Sequence, residues 1–340
     1  MREEQNNSRQ LYIEFLKGLA IFTVLIFHID LCYMPEPDHI LTKLISQFFN
    51  TTRVFFFCSG FGLYYSYLRK PIEWKDFIKK RFLKVYLPYI IIVFICFLVP
   101  YTYEYDDRFS ALLSHIFLYK MFIPKYIGSF GPFWFMSSIF QYYLLFYALI
   151  KMKNKVNNNR LFLSIWIVIS LLWSILIWRL LLFNKNLDSV LSTFFFLHCA
   201  IFVLGMLCAE YLYQNKEFSL TVQQLVLICI AMLIPIFLLV GCDMYYLKEI
   251  PRDILIICLC TILWAICGNK IRRFIAWVGS FSFEWYLTHM LILDGLYRLF
   301  KLVGNSNKVL FSIIGFIITA FAAWLYHRFV QNVLFRRLRI

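Results

Sequence analysis

Three ionisable residues, Glu14, Lys17 and His28, stand in one apolar stretch, YIEFLKGLAIFTVLIFHID, residues 12–30. Each is costly in lipid and has to face a partner or a wet cavity. On a helix, the eleven steps from Lys17 to His28 end only about 20° past three full turns and about 16 Å along the axis, while Glu14 lies about 40° from His28. The three therefore share one face. There a neutral imidazole can accept a proton, and Glu14 and Lys17 can pair at i, i+3 spacing. A further costly group, Arg53, sits near the start of the next apolar stretch, NTTRVFFFCSGFGLYY, at a depth similar to that of His28 in an antiparallel neighbour. Its fork of donors suits a carbonyl oxygen, a sulfate-like oxygen or a carboxylate. A structural alternative stands beside each assignment. Glu14 and Lys17 near a helix end can snorkel, His28 can be an interhelical hydrogen-bonder, and Arg53 can be an ion pair or an interfacial anchor.

The elements that must hold these groups follow from composition. A chain of 340 residues that is 61% hydrophobic and 20% aromatic, with a mean hydropathy of +0.70, has more apolar surface than a soluble core of that length can hide. The expected class is all-α, a polytopic membrane helix bundle forming one domain over 1–340. Stretches of about 20 apolar residues are needed to cross the hydrocarbon. About ten are present, at 10–32, 45–67, 83–101, 130–150, 161–183, 190–212, 221–241, 253–267, 278–300 and 306–330. The segment from Phe109 to Phe122, interrupted by His115 and Lys120, reads as an interfacial helix. Basic residues favour the side that holds both termini by about two to one, which places the termini in the cytoplasm.

That topology and anionic lipid account for the net charge of +15. No basic domain or recognised motif points to nucleic acid. No cleavable signal peptide is evident, so the first span is expected to be retained. The ten cysteines show no CxxC pair and no metal-ligand spacing, so they read as small core residues and no metal is expected.

Five stretches, taken in order, resemble the acyltransferase-3 family of bacterial membrane acyltransferases. IEFLKGLAIFTVLIFH is similar to the family's acidic-x-x-[Arg/Lys]-Gly opening with a histidine eleven residues after the basic one, here Glu14, Lys17, Gly18 and His28. FFFCSGFGL resembles its Phe-Phe-x-x-Ser-Gly-Phe segment. KKRFLKVYLPY, with Arg81, Lys84 and Pro88, is similar to the basic entry to its third span. GPFWFMSSIFQYYLLF and VGSFSFEWYLTHMLIL look like its later Trp-Phe and Tyr-Leu-x-His segments. Lys17 and Glu14 replace the commoner arginine and aspartate and keep their charge. No appended hydrolase-like domain is expected after the last span, unlike the longer members of the family.

The resemblance implies an enzyme of the bacterial cytoplasmic membrane that takes an acyl group, commonly acetyl, from cytoplasmic acyl-coenzyme A to a hydroxyl of a surface or lipid-linked glycan. On that reading Glu14, Lys17, Arg81 and Lys84 belong to the donor's path. The stretch RKPIEWKDFIKKRFLK attracts the phosphates, though the positive-inside rule explains its charge equally. His28 is the general base and Arg53 steadies the oxyanion. The partners are the bilayer and a glycan acceptor, and a homo-oligomer is left open.

Other polar positions carry less. Trp134 can stack on a sugar or belong to an aromatic belt. Ser59 and Gly60 read as a close helix approach. His289 can line the cavity and touch the acceptor or simply pack; it lies about 140° around its helix from Glu284. The H-x4-D pattern from His289 to Asp294 fits glycerolipid acyltransferases but puts its two members on different helix faces, and is rejected. His198 and Arg179 stay unassigned. The competing classes are a flippase for a lipid-linked glycan, which broken helices and repeated halves would favour, and a non-catalytic member of a polysaccharide-export assembly.

Overall fold

The computed structural model describes residues 2–33, 40–49, 51–99, 107–127, 131–214, 220–242 and 244–338. Among them the regular structure is helical, with no strand, as expected where lipid offers backbone groups no other partner. Helix α1 (Arg2–His28) continues through a π turn, Ile29–Tyr33. It is followed by α2 (Ile40–Phe48), α3 (Thr52–Arg69), and α4 (Trp74–Arg81), which a π turn joins to α5 (Leu87–Leu98). Then come α6 (Arg108–Ile116), α7 (Trp134–Val156), α8 (Asn159–Leu181), α9 (Asp188–Thr193), α10 (Cys199–Tyr213) and α11 (Val222–Gly241). The chain closes with α12 (Glu249–Ile266), α13 (Asn269–Ser280), α14 (Ser282–Leu302), α15 (Lys308–Phe329) and a last turn, α16 (Arg336–Leu338). Five helical stretches are long and apolar enough to cross a membrane: Gln10–Tyr33, Trp74–Leu98, Asn159–Leu181, Val222–Gly241 and Lys308–Leu338. Their outward side chains, such as Leu172, Phe237 and Ile317, are more than half exposed, as a lipid-facing surface requires.

The bundle is organised around α1, which packs against α3, α12, α13 and α14. Glycine sets how closely. A Cβ at Gly18 would strike the carbonyl of Ile275 on α13, and one at Gly279 would strike the carbonyl of Glu14 on α1. Gly60 on α3 and Gly205 on α10 meet the partner backbone in the same way, at Phe202 and Phe57. Small residues thus let backbones approach where apolar burial gives lipid-immersed helices little drive to associate. The close approach expected at Gly60 is present.

The apolar stretches fall on helices, with four differences of detail. The second is divided between α2 and α3, and Thr51 donates to the Ala20 carbonyl (3.1 Å) and bonds Thr23 (2.5 Å), fixing the start of α3 to α1. The sixth is broken between α9 and α10. Its freed backbone groups are taken up by side chains: Gln141 donates to Thr193 O (3.0 Å) and accepts from Phe195 N–H (3.1 Å), while Ser170 donates to Phe196 O (2.9 Å). A break so fully partnered is a fixed part of the scaffold. The basic stretch before the third span is helical from Trp74 onward. Pro88 has no N–H to continue its helix, and the preceding Leu87 N–H reaches back five residues to Phe82, giving the π turn. Finally, the 109–122 segment is only a short helix followed by tight turns, and it turns its polar groups into the protein and apolar ones outward. His115 and Lys120 are fully buried, whereas Phe109 and Phe117 are 64% and 69% exposed.

Candidate functional site

The face shared by Glu14, Lys17 and His28 is recovered as two connected pieces. At one end of α1, Lys17 Nζ lies 2.9 Å from Glu14 Oε1. Lys17 also lines a cavity of about 270 Å³. Arg81 of α4 lines the same cavity, its guanidinium lying over the Phe77 ring at 5.5 Å. Ser59 and Cys58 of α3, Gly279 and Ser280 of α13, Phe135 of α7 and Tyr286 of α14 supply other parts of the wall. Two cations thus face a cavity whose polar lining is otherwise hydroxyls and backbone. Lys84 is placed elsewhere, over the ring of Phe335 at 5.9 Å.

Further along α1, the His28 ring stands 5.1 Å from that of His289, centroid to centroid. The two are brought together because α14 packs along α1. His289 is 1% exposed, and its Nδ1 approaches the carbonyl oxygens of Tyr286 (2.8 Å) and Trp285 (3.2 Å). A carbonyl only accepts, so this nitrogen holds the proton and Nε2 keeps the lone pair. That Nε2 is buried with no hydrogen-bond partner among the described residues. His28 is half-buried, with Nδ1 3.6 Å from Cys32 Sγ one turn on, inside the π turn. Single π turns within α-helices are often found at functional positions.

The cavity and the imidazoles meet at Tyr286. Its ring lies 6.1 Å from His289 on one side and 5.4 Å from Phe135 on the other, and its hydroxyl donates to the Pro132 carbonyl. Neither histidine belongs to the cavity wall; Phe135 and Tyr286 stand between. Phe135, like Trp134, reads from the sequence as a sugar-stacking or belt aromatic, and its place in this wall comes from the packing of α7. Tyr286 carried a readable signal, being three residues before His289 and so on its face, but was given no role of its own.

Arg53 has different neighbours. Its guanidinium pairs with Glu249 and lies 3.9 Å from Asp253 Oδ1, both on α12. Arg252 also pairs with Glu249, and Lys248 donates to Gln47 (2.6 Å). Stripping away Arg53 would take the cation from buried Asp253 and leave Glu249 to Arg252 alone, a loss of about 3–5 kcal/mol. Trp134 is half-buried beside His198 (6.3 Å) and edge-on to Phe135 (6.2 Å), one aromatic removed from the cavity wall. Glu284, on the opposite face from His289, faces His327 of α15 at 3.2 Å. Asp294 accepts from Tyr33 (2.5 Å), away from the His289 ring contacts, in keeping with the rejected H-x4-D reading. Among the described residues no group of three histidine, cysteine, aspartate or glutamate side chains is arranged to hold a metal ion.

The sequence matches the acyltransferase-3 family, described as an acyltransferase domain, over residues 10–328. No curated protein and no solved structure matches the chain.

Proposed function

Because the chain belongs to the acyltransferase-3 family, we propose that it is a membrane O-acyltransferase, in the simplest case an O-acetyltransferase, acting in a bacterial cytoplasmic membrane. It moves an acyl group from cytoplasmic acyl-coenzyme A to a hydroxyl of a cell-surface or lipid-linked glycan. One observation carries this reading: Lys17 and Arg81 face a single cavity that ends at Phe135 and Tyr286, one ring away from the His28–His289 pair.

The donor's phosphates are held at the Lys17 and Arg81 end, with Glu14 fixing the lysine, and Lys84 adds to the positive field outside. Its thin pantetheine arm runs up the cavity toward Tyr286. The glycan hydroxyl attacks the thioester carbonyl carbon, and its proton passes to His28 as the carbon–oxygen bond forms. Collapse breaks the carbon–sulfur bond, and the coenzyme A thiolate takes the proton back from His28. The products are the O-acyl glycan and free coenzyme A. His289, its ring fixed through Nδ1, lies behind His28 and orients it or shares its proton. Arg53 retains two buried donors, Nε and Nη1, without hydrogen-bond partners among the described residues; these are the groups that would reach an oxyanion, while Nη2 stays with Glu249. Trp134 offers a stacking face to the acceptor.

Mass spectrometry of surface glycans from cells with and without the protein tests this. The expected result is loss of one acyl increment at a defined hydroxyl. Identical glycan masses would overturn the reading, and an altered amount of exported glycan at unchanged mass would favour transport.

A further inference from the structure

A second, smaller cavity of about 90 Å³ lies between α8, α10 and α12. Its walls are apolar, with Leu163 and Ile167 from α8, Ile201 and Leu204 from α10, and Ile250 and Ile254 from α12. All of these but Ile201 are half-buried, so the cavity is partly open. One of its walls, α8, is a membrane-crossing candidate. Two polar residues belong to the same lining: His198, 3% exposed, and Asp253, 5% exposed. His198 is stacked on Phe56 at 5.0 Å. His198 Nδ1 and Asp253 Oδ1 have no hydrogen-bond partner among the described residues; the Arg53 guanidinium stands 3.9 Å from Asp253 Oδ1, an ion pair too long for a hydrogen bond. Buried polar groups of this kind call for a partner.

The chemistry narrows the occupant. A carboxylate oxygen asks for a donor, and a hydroxyl can donate to it while leaving its own lone pairs for the imidazole. An anionic head would meet the Asp253 carboxylate at close range and have to compete with it and Glu249 for Arg53, whereas a hydrocarbon would leave both polar groups without a hydrogen bond. A cavity of about 150 Å³ accepts a benzene ring, so this smaller one suits the end of a linear chain better than a ring. Half-buried apolar walls, one of them on a membrane-crossing candidate, suit a molecule arriving from the bilayer. We infer that this cavity binds the hydroxyl-bearing end of a single-chain membrane alcohol, Asp253 accepting its hydrogen bond and His198 meeting the same oxygen. The cavity shares no lining residue with the one that holds Lys17 and Arg81; it adjoins the proposed acyl-transfer groups through Arg53, beside Asp253, and Trp134, beside His198, and its test reads binding, not transfer.

Photolabelling tests it, using the full chain in lipid nanodiscs with three probes of one chain length carrying a diazirine: a primary alcohol, a carboxylic acid and a plain hydrocarbon. The alcohol should label peptides containing residues 197–204 and 250–254 about tenfold more than either other probe, the ratio that one hydrogen bond to a charged group supports. Asp253→Asn should bring the alcohol and acid signals together. Ala200→Phe, which fills the cavity, and Ile254→Trp, which blocks its mouth, should each remove the label while leaving the melting temperature near that of wild type. If one of these blocked forms does not fold, the other decides. Equal labelling by alcohol and hydrocarbon, or labelling that survives the blocked mouth, would overturn the inference.

Discussion

His28 differs from His289 in what it can still reach. His289 is almost wholly enclosed and its Nδ1 proton is committed to backbone carbonyls, whereas His28 remains half-buried with only a soft thiol contact at Nδ1. A base that meets an incoming alcohol needs that access, so the proposed reaction gives the proton to His28 and sets His289 behind it. At the other end of the face, the cations should act on binding and not on chemistry. Lys17→Met and Arg81→Met are each expected to raise KM for acyl-coenzyme A about tenfold at unchanged kcat, an effect that shrinks in high salt. Steady-state kinetics over a salt series checks this. The coincidence of Glu14, Lys17 and His28 on one face was legible, since helical periodicity alone fixes it. The neighbours of Arg53 were not, because depth in a span says nothing about azimuth. Its pairing with Glu249 depends on how α12 is rotated, which only packing decides.

Helix α13 shows how an element outside the expected spans can position the site. It lies where a loop and the start of a span were expected, yet its close approach to α1 at Gly18 and Gly279 places the Lys17 turn beside the cavity. Gly279→Leu should therefore destabilise the fold by roughly 1–3 kcal/mol through overpacking and weaken acyl-coenzyme A binding with it. Gly62 lines the same cavity but has nothing within 4 Å of an added Cβ. Gly62→Ala should leave binding intact and raise stability by about 0.5–1 kcal/mol. Thermal unfolding of the two variants in detergent, with and without coenzyme A, separates these outcomes. The apolar runs announced the helices because lipid permits little else. The π turn after His28 had no herald, since no proline or glycine lies within Ile29–Tyr33. The break before α10 was equally silent, because the side chains that satisfy it come from α7 and α8, far away in sequence.

At the scale of the molecule, the proposed orientation rests on charge bias and would put both termini with Lys17 and Arg81 in the cytoplasm. Two thiols report on that orientation. It would place Cys242, exposed after α11, on the outer side and Cys267, partly exposed between α12 and α13, on the cytoplasmic side. A membrane-impermeant maleimide on intact spheroplasts should modify Cys242 at once and Cys267 only after permeabilisation, as read by peptide mapping; the opposite order would invert the topology. The sequence made a helical bundle and a charged donor entrance readable, because both rest on composition and spacing. It could not show that the entrance cavity stops at Phe135 and Tyr286, short of the imidazoles, because that boundary is set by side chains from separate helices. The central claim is that His28 takes the acceptor's proton beside a thioester delivered through that cavity. Single-turnover transfer of labelled acetyl from acetyl-coenzyme A to a glycan acceptor, by purified wild type and His28→Ala matched for coenzyme A affinity, tests it most directly. A fall of about 10²–10⁴-fold in the transfer rate is predicted; transfer at the wild-type rate by His28→Ala would contradict it.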